Sequence, residues 1–149
     1  MKHGYGIFVK QESQFCYAGF WLNNEPHGYG ILRAADGSVY EGKFRFGVKE
    51  GTGQERWPDG RKYIGHYRQG LFDGNGSLWH PSGEKYVGNF VKGKMHGQGN
   101  WIIPKLIHSD RRLINLLGDE TCNYDGNLVD GKVSGVGNET WSSGGRYEG

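Results

Sequence analysis

A tyrosine followed two residues later by glycine recurs at Tyr17, Tyr40, Tyr63, Tyr86, Tyr124 and Tyr147, at intervals of 23, 23, 23, 38 and 23 residues. A second glycine pair begins 11 residues after each of the first five: Gly28/Gly30, Gly51/Gly53, Gly74/Gly76, Gly97/Gly99 and Gly135/Gly137. Most units close on a third mark, "DGS" at Asp36, "PDG" at Pro58, "PSG" at Pro81 or "SGG" at Ser143. Self-similarity at a period of roughly 20–50 residues is the mark of a repeat architecture, and it outranks element-by-element reading.

Each unit reads as a β-hairpin. In "YIGHYRQG" the residues Tyr63, Gly65 and Tyr67 alternate with Ile64, His66 and Arg68, which places them on opposite faces of a strand. The sibling units hold Tyr17/Trp21, Tyr40/Phe44 and Tyr86/Phe90 at the same positions, with Leu128 in the last. Asn24, Gly47, Gly70, Gly93 and Gly131 follow where a turn is needed. With that turn centred on the eighth and ninth residues of the unit, Gly74 falls opposite Tyr67 and Gly76 opposite Gly65. Aromatic rings then lie flat over backbone that carries no side chain, and cross-strand ring packing offsets the cost of glycine in a strand. The second strand runs to the closing Asp/Ser-Gly, which turns the chain into the next unit.

The pattern "YEGKFRFG…GTG…WPDG" resembles the MORN repeat (membrane occupation and recognition nexus), over nearly the whole chain. The resemblance implies an all-β fold: an elongated, single-layer, twisted antiparallel sheet of successive hairpins with a groove along one face. The units read as a partial unit 1–16, units 17–39, 40–62, 63–85, 86–123 and 124–146, and the start of another at 147–149. Open units at both ends expose strand edges, which suits a segment of a longer array or end-to-end self-association. The 38-residue interval carries an insertion at about 104–120, containing "PKLIHSDRRLINLLGDE". There Ser109 or Asp110 is placed to cap a short helix through Leu113, Ile114, Leu116 and Leu117, with Gly118 as its stop. Such leucines either dock on the sheet or present a partner-recognition element.

Chemistry is sparse. Glycine makes up 28 of 149 residues, against an average of roughly 7%. Aromatic residues reach 14%, which argues against disorder and for positional glycines. The formal charge of +2 gives no polyanion-binding signal of the kind nucleic acid needs. No apolar run approaches a membrane span, and "MKHGYGIFVK" lacks the apolar core of a signal peptide. His3, His27 and His96 share one repeat position, so the sheet spacing of about 4.8 Å per strand keeps them too far apart to share an ion. His66, His80 and His108 form no spaced ligand set. Cys16 and Cys122 lack metal spacing and read as reduced cytosolic thiols. The G-x-G pairs sit inside hairpins and open no helix, so they are not nucleotide loops. No nucleophile elbow or Ser/His/Asp set occurs, and Asp36 and Asp59 read as turn residues. The expectation is a non-enzyme without metal or cofactor.

The leading functional expectation is a cytoplasmic scaffold that holds an extended or helical segment of another protein along an aromatic groove. Its floor would be Tyr17, Trp21, Tyr40, Phe44, Tyr63, Tyr67, Tyr86 and Phe90. A second expectation is a peripheral membrane module that meets anionic phospholipid through Arg56, Arg61, Lys62 and Arg68. A third is an accessory array within a larger enzyme. What the MORN resemblance implies extends to protein scaffolds at junctional membranes, cilia and the cytoskeleton.

Overall fold

The computed structural model describes residues 1–105 and 120–149. Among the described residues there are twelve strands in one sheet. They are β1 Gly4–Lys10, β2 Phe15–Leu22, β3 Glu25–Arg33, β4 Val39–Arg45, β5 Val48–Arg56 and β6 Lys62–Arg68, then β7 Leu71–Trp79, β8 Lys85–Val91, β9 Lys94–Lys105, β10 Glu120–Val129, β11 Lys132–Trp141 and β12 Arg146–Glu148. Their spatial order is their sequence order, every neighbour antiparallel. The only helical turn described is a 3₁₀ turn at Gln11–Ser13. The expected all-β, single-layer sheet of hairpins is what forms. The helix placed on Leu113, Leu116 and Leu117 lies outside the described residues, as do Ser109 and Asp110.

The turns inside the hairpins are centred one residue earlier than the sequence suggested. They fall on Asn23-Asn24, Phe46-Gly47, Gln69-Gly70, Lys92-Gly93 and Asp130-Gly131, with both φ angles positive in every case. This is the two-residue turn whose twist matches that of the flanking strands. It corrects the expected register. Tyr67 pairs with Phe72, not Gly74, while Gly65 does face Gly76. Between those pairs His66 opposes three residues, Asp73 to Asn75, and Gly74 absorbs the bulge at φ +99°. Gly74 instead faces Phe90 of the next strand. The two glycines of each G-x-G therefore do different things: the first bends the strand, and the second makes room.

What needs room is the tyrosine ring. A Cβ at Gly30, Gly53 or Gly76 would stand within 2.7 Å of the ring of Tyr17, Tyr40 or Tyr63. Each ring crosses the glycine two residues on and donates its hydroxyl proton to the carbonyl of the third. The bonds run from Tyr17 to Phe20 at 2.9 Å, Tyr40 to Lys43 at 2.9 Å and Tyr63 to His66 at 3.0 Å. Tyr86 to Asn89 at 3.1 Å and Tyr124 to Asn127 at 3.0 Å repeat the pattern. The unit's second aromatic then meets the tyrosine edge-on. One unbroken zigzag runs Trp21, Tyr17, Phe44, Tyr40, Tyr67, Tyr63, Phe90, Tyr86, with centroids 4.9–5.3 Å apart. Edge-to-face pairs of this kind are worth about 0.5–1.5 kcal/mol each beyond their buried area. Among the described residues the sheet has no second layer, and this row is its core, continued by Tyr124 and Leu128.

Removal from water pushes the Tyr17 hydroxyl up to about 12 and raises Tyr40, Tyr63, Tyr67 and Tyr86 above the ordinary phenol value. Below about pH 10 folded and unfolded chains both keep these protons. Above it the unfolded chain releases them and the folded chain does not, so stability falls as pH rises. Alkaline titration should show tyrosinate absorbance appearing together with loss of far-ultraviolet circular dichroism. Tyrosinate formed by all five in a sheet that stays folded would contradict this account.

Candidate functional site

The ring face carries the groove candidates, and they form its floor from beneath. All eight are buried, from 0% exposed at Tyr17 and Tyr63 to 8% at Trp21. Apolar side chains packed above them are Phe15, Leu32, Trp57, Phe72, Leu78, Met95 and Trp101, each half-buried against the ring row. Phe72 stacks on Tyr63 at 3.7 Å and meets Trp57 at 6.0 Å. Beside them a hollow of about 300 Å³ is lined by Glu55, Trp57, Gly70, Leu71, Phe72 and Gly93. Leu71, the cross-strand partner of Arg68, stands 49% exposed.

Sequence reasoning missed this upper tier. Its signal was present. The tenth residue of each unit is Pro26, Lys49, Phe72, Met95 or Val133, and the sixteenth is Leu32, Glu55, Leu78, Trp101 or Glu139. The turn shift puts these positions opposite the aromatic pair, so that Phe44 faces Lys49 and Tyr40 faces Glu55. In the second full unit an ion pair thus stands where the next two units hold apolar side chains. Lys49 Nζ lies 2.5 Å from Glu55 Oε1. It also sits 4.9 Å and 5.7 Å from the ring centroids of Tyr40 and Tyr67. Tyr67 donates its hydroxyl proton to Glu55 Oε2 at 3.1 Å. Burial first, then the Glu55 charge, raises the Tyr67 hydroxyl far above its ordinary value, so it remains a donor.

The four basic candidates separate. Arg56 and Lys62 face each other across β5 and β6. Arg61, in the closing turn, binds Asp59 at 2.7 Å and covers Trp57 at 5.2 Å. Arg68 stands at the opposite end of β6, 3.6 Å from Asp73. Arg56, Arg61 and Lys62 thus lie at one end of β5 and β6, and Arg68 at the other.

Asp36 and Asp59 serve turns. Asp36 accepts hydrogen bonds from the Ser38 hydroxyl and amide, at 2.7 Å and 2.8 Å. The hydroxyl bond is the larger cause of its lowered pKa. Asp59 accepts the Arg61 amide at 3.0 Å, which with the guanidinium holds it below the usual carboxylate range. Among the described residues no three His, Cys, Asp or Glu side chains gather at metal-binding distance. No described helix is long and apolar enough to cross a membrane.

The MORN repeat profile matches residues 17–39, 40–60, 63–85, 86–104 and 124–146. Among curated proteins the chain is similar to alsin. It is 50% identical to the Rattus norvegicus protein and 47% to those of Mus musculus and Homo sapiens, each over 38 residues. That stretch is 26% of this chain and 2% of each relative's length. Five profile matches carrying the tyrosine, the ring-bed glycine and the bulge glycine together cover most of the sequence, and the chain belongs to the MORN repeat family.

Proposed function

We propose that this chain is a non-catalytic scaffold that holds a segment of another protein along its ring face. The carrying observation is the upper tier over a rigid floor. Trp57, Phe72, Met95 and Trp101 are half-exposed over the ring row, and a hollow opens beside Trp57 and Phe72. Exposed aromatic and methionine side chains backed by a rigid core lose little entropy on binding and are favoured as interface anchors. The buried rings contribute indirectly, by fixing the positions of the side chains that touch the partner. Repeats of this family are interaction and membrane-associated modules, which supports the reading at that coarser level. The scaffold would act in the cytoplasm, on cytoskeletal, ciliary or membrane-bound assemblies.

Met95→Asp is the clean test, because Met95 is half-exposed on the ring face opposite Phe90 and outside the ring row. Proteins captured from cell extract by the wild-type chain should be lost by at least about tenfold with Met95→Asp. They should be retained with Ile64→Asp, a residue 40% exposed on the opposite face. Equal retention by both variants would sink the ring-face reading.

A further inference from the structure

The opposite face holds a pattern that only register reveals. Reading cross-strand partners from β2 to β11 gives one row: Cys16, Arg33, Val39, Arg56, Lys62, Trp79, Lys85, Ile102, Asn123 and Thr140. Four cations stand in that row and no acid does. Trp79 lies between Lys62 and Lys85, with the ammonium groups 5.5 Å and 5.6 Å from its ring centroid. The indole holds both lysine heads in line, a contact worth about 0.5–1 kcal/mol at an exposed site. Arg33 and Arg56 are exposed. Between them, around Val39, a hollow of about 300 Å³ is walled by Gly37, Glu41, Gln54, Arg56, Trp57 and Pro58. In the next row inward, over β3 to β8, the one acid is Glu41. Its carboxylate accepts hydrogen bonds from the Tyr29 hydroxyl and, at 2.8 Å, from Gln54. The Tyr29 bond above all lowers its pKa.

We infer that this row is a second docking surface, for an extended acidic segment of a protein that crosses the strands with one apolar side chain in the Val39 hollow. Five strand steps of about 4.8 Å separate Arg33 from Lys85, about 24 Å in all. An extended peptide of eight residues has that length, and its alternate side chains fall about 6.6 Å apart, within reach of flexible Arg and Lys heads. Shape favours a chain over a bilayer. Strands rotate by about 20° each, so the row turns through about 100° between β3 and β8. A flat membrane meets only part of such a row, and charge-driven membrane anchoring takes about 4–8 cations presented together. A single flexible chain follows the turn. This surface is separate from the ring face, and its test uses a different probe.

The probe is a fluorescein-labelled peptide, Glu-Ser-Leu-Ser-Glu-Ser-Glu-Ser, whose leucine shares the glutamates' face, titrated at about 20 mM salt, where surface charge is least screened. Binding in the sub-millimolar range is expected. Arg33→Gln, Arg56→Gln, Lys62→Gln and Lys85→Gln should each weaken it about three- to tenfold. Raising salt to about 300 mM should weaken it at least tenfold. Arg45→Gln and Arg68→Gln, at the far ends of β4 and β6, should leave it unchanged. Exchanging the peptide's glutamates for glutamine should abolish binding. Thermal midpoints identify any variant that unfolds, and the exposed Arg33→Gln then decides alone. No binding at low salt, or binding indifferent to all four substitutions, overturns the proposal. So does capture of phosphatidylserine vesicles through these cations when the peptide is ignored.

Discussion

Gly76→Ala is expected to cost about 4 kcal/mol, an exceptional loss for adding one methyl group. A Cβ there would stand 2.7 Å from Cζ of Tyr63, with Gly65 directly across the strand pair. The ring has no free volume to retreat into. Phe72 stacks on it at 3.7 Å, and Tyr67 and Phe90 meet it edge-on at 5.3 Å and 5.2 Å. Relief requires lifting Tyr63, which breaks its hydrogen bond to the His66 carbonyl and loosens those contacts. Overpacking alone costs about 1–3 kcal/mol, the lost hydrogen bond about 1, and each disturbed ring pair a further fraction. Gly135→Ala is the matched control. Gly135 has φ +76° but open space where a Cβ would sit, so only backbone strain of about 1–2 kcal/mol applies. Urea midpoints of the two variants, followed by circular dichroism, measure the gap. Equal losses would mean that the ring-bed glycines are present for backbone freedom and the zigzag is not the core.

That contrast also shows what a reader of residues alone can and cannot recover. The tyrosine and the ring-bed glycine are legible because no other residue pair permits a ring to cross bare backbone, and so they recur in strict register. The turn was misplaced by one because its first residue takes a left-handed φ whatever its side chain. Phe46, Gln69 and Lys92 carry no turn signature, yet all three adopt it. The bulge at Gly74 follows from that shift and has no separate mark. The site was less legible than the fold for a related reason. Arg33 and Lys85 lie 52 residues apart, and only five successive cross-strand registers bring them into one row. An error of one residue in any register would have sent the row to the opposite face.

Breaking the Lys49–Glu55 pair should give the second large effect, and an unequal one. Lys49→Met leaves the Glu55 carboxylate, whose side chain is 8% exposed, with the Tyr67 hydroxyl as the remaining partner shown for it. A buried charge stripped of its counter-ion costs about 3–5 kcal/mol; about 3 is expected because the Lys49 side chain is 21% exposed and water reaches that end. Glu55→Leu should cost less, about 1 kcal/mol, because the long lysine stem carries its ammonium out to water once the carboxylate is gone. Lys49→Phe with Glu55→Leu copies Phe72 and Leu78 of the following unit. That double variant should come back to within about 1 kcal/mol of wild type, or exceed it, since well-packed apolar pairs often match buried ion pairs. With Lys49→Phe alone added, wild type, the two single variants Lys49→Phe and Glu55→Leu, and their double variant form a double-mutant cycle read by denaturant titration. Simple additivity would show that the two side chains are not energetically joined. Recovery in the double variant would assign the pair a role other than stability. An ion pair set among apolar positions costs little when intact and much when mispaired. It therefore distinguishes one unit of a nearly uniform ring face from its neighbours.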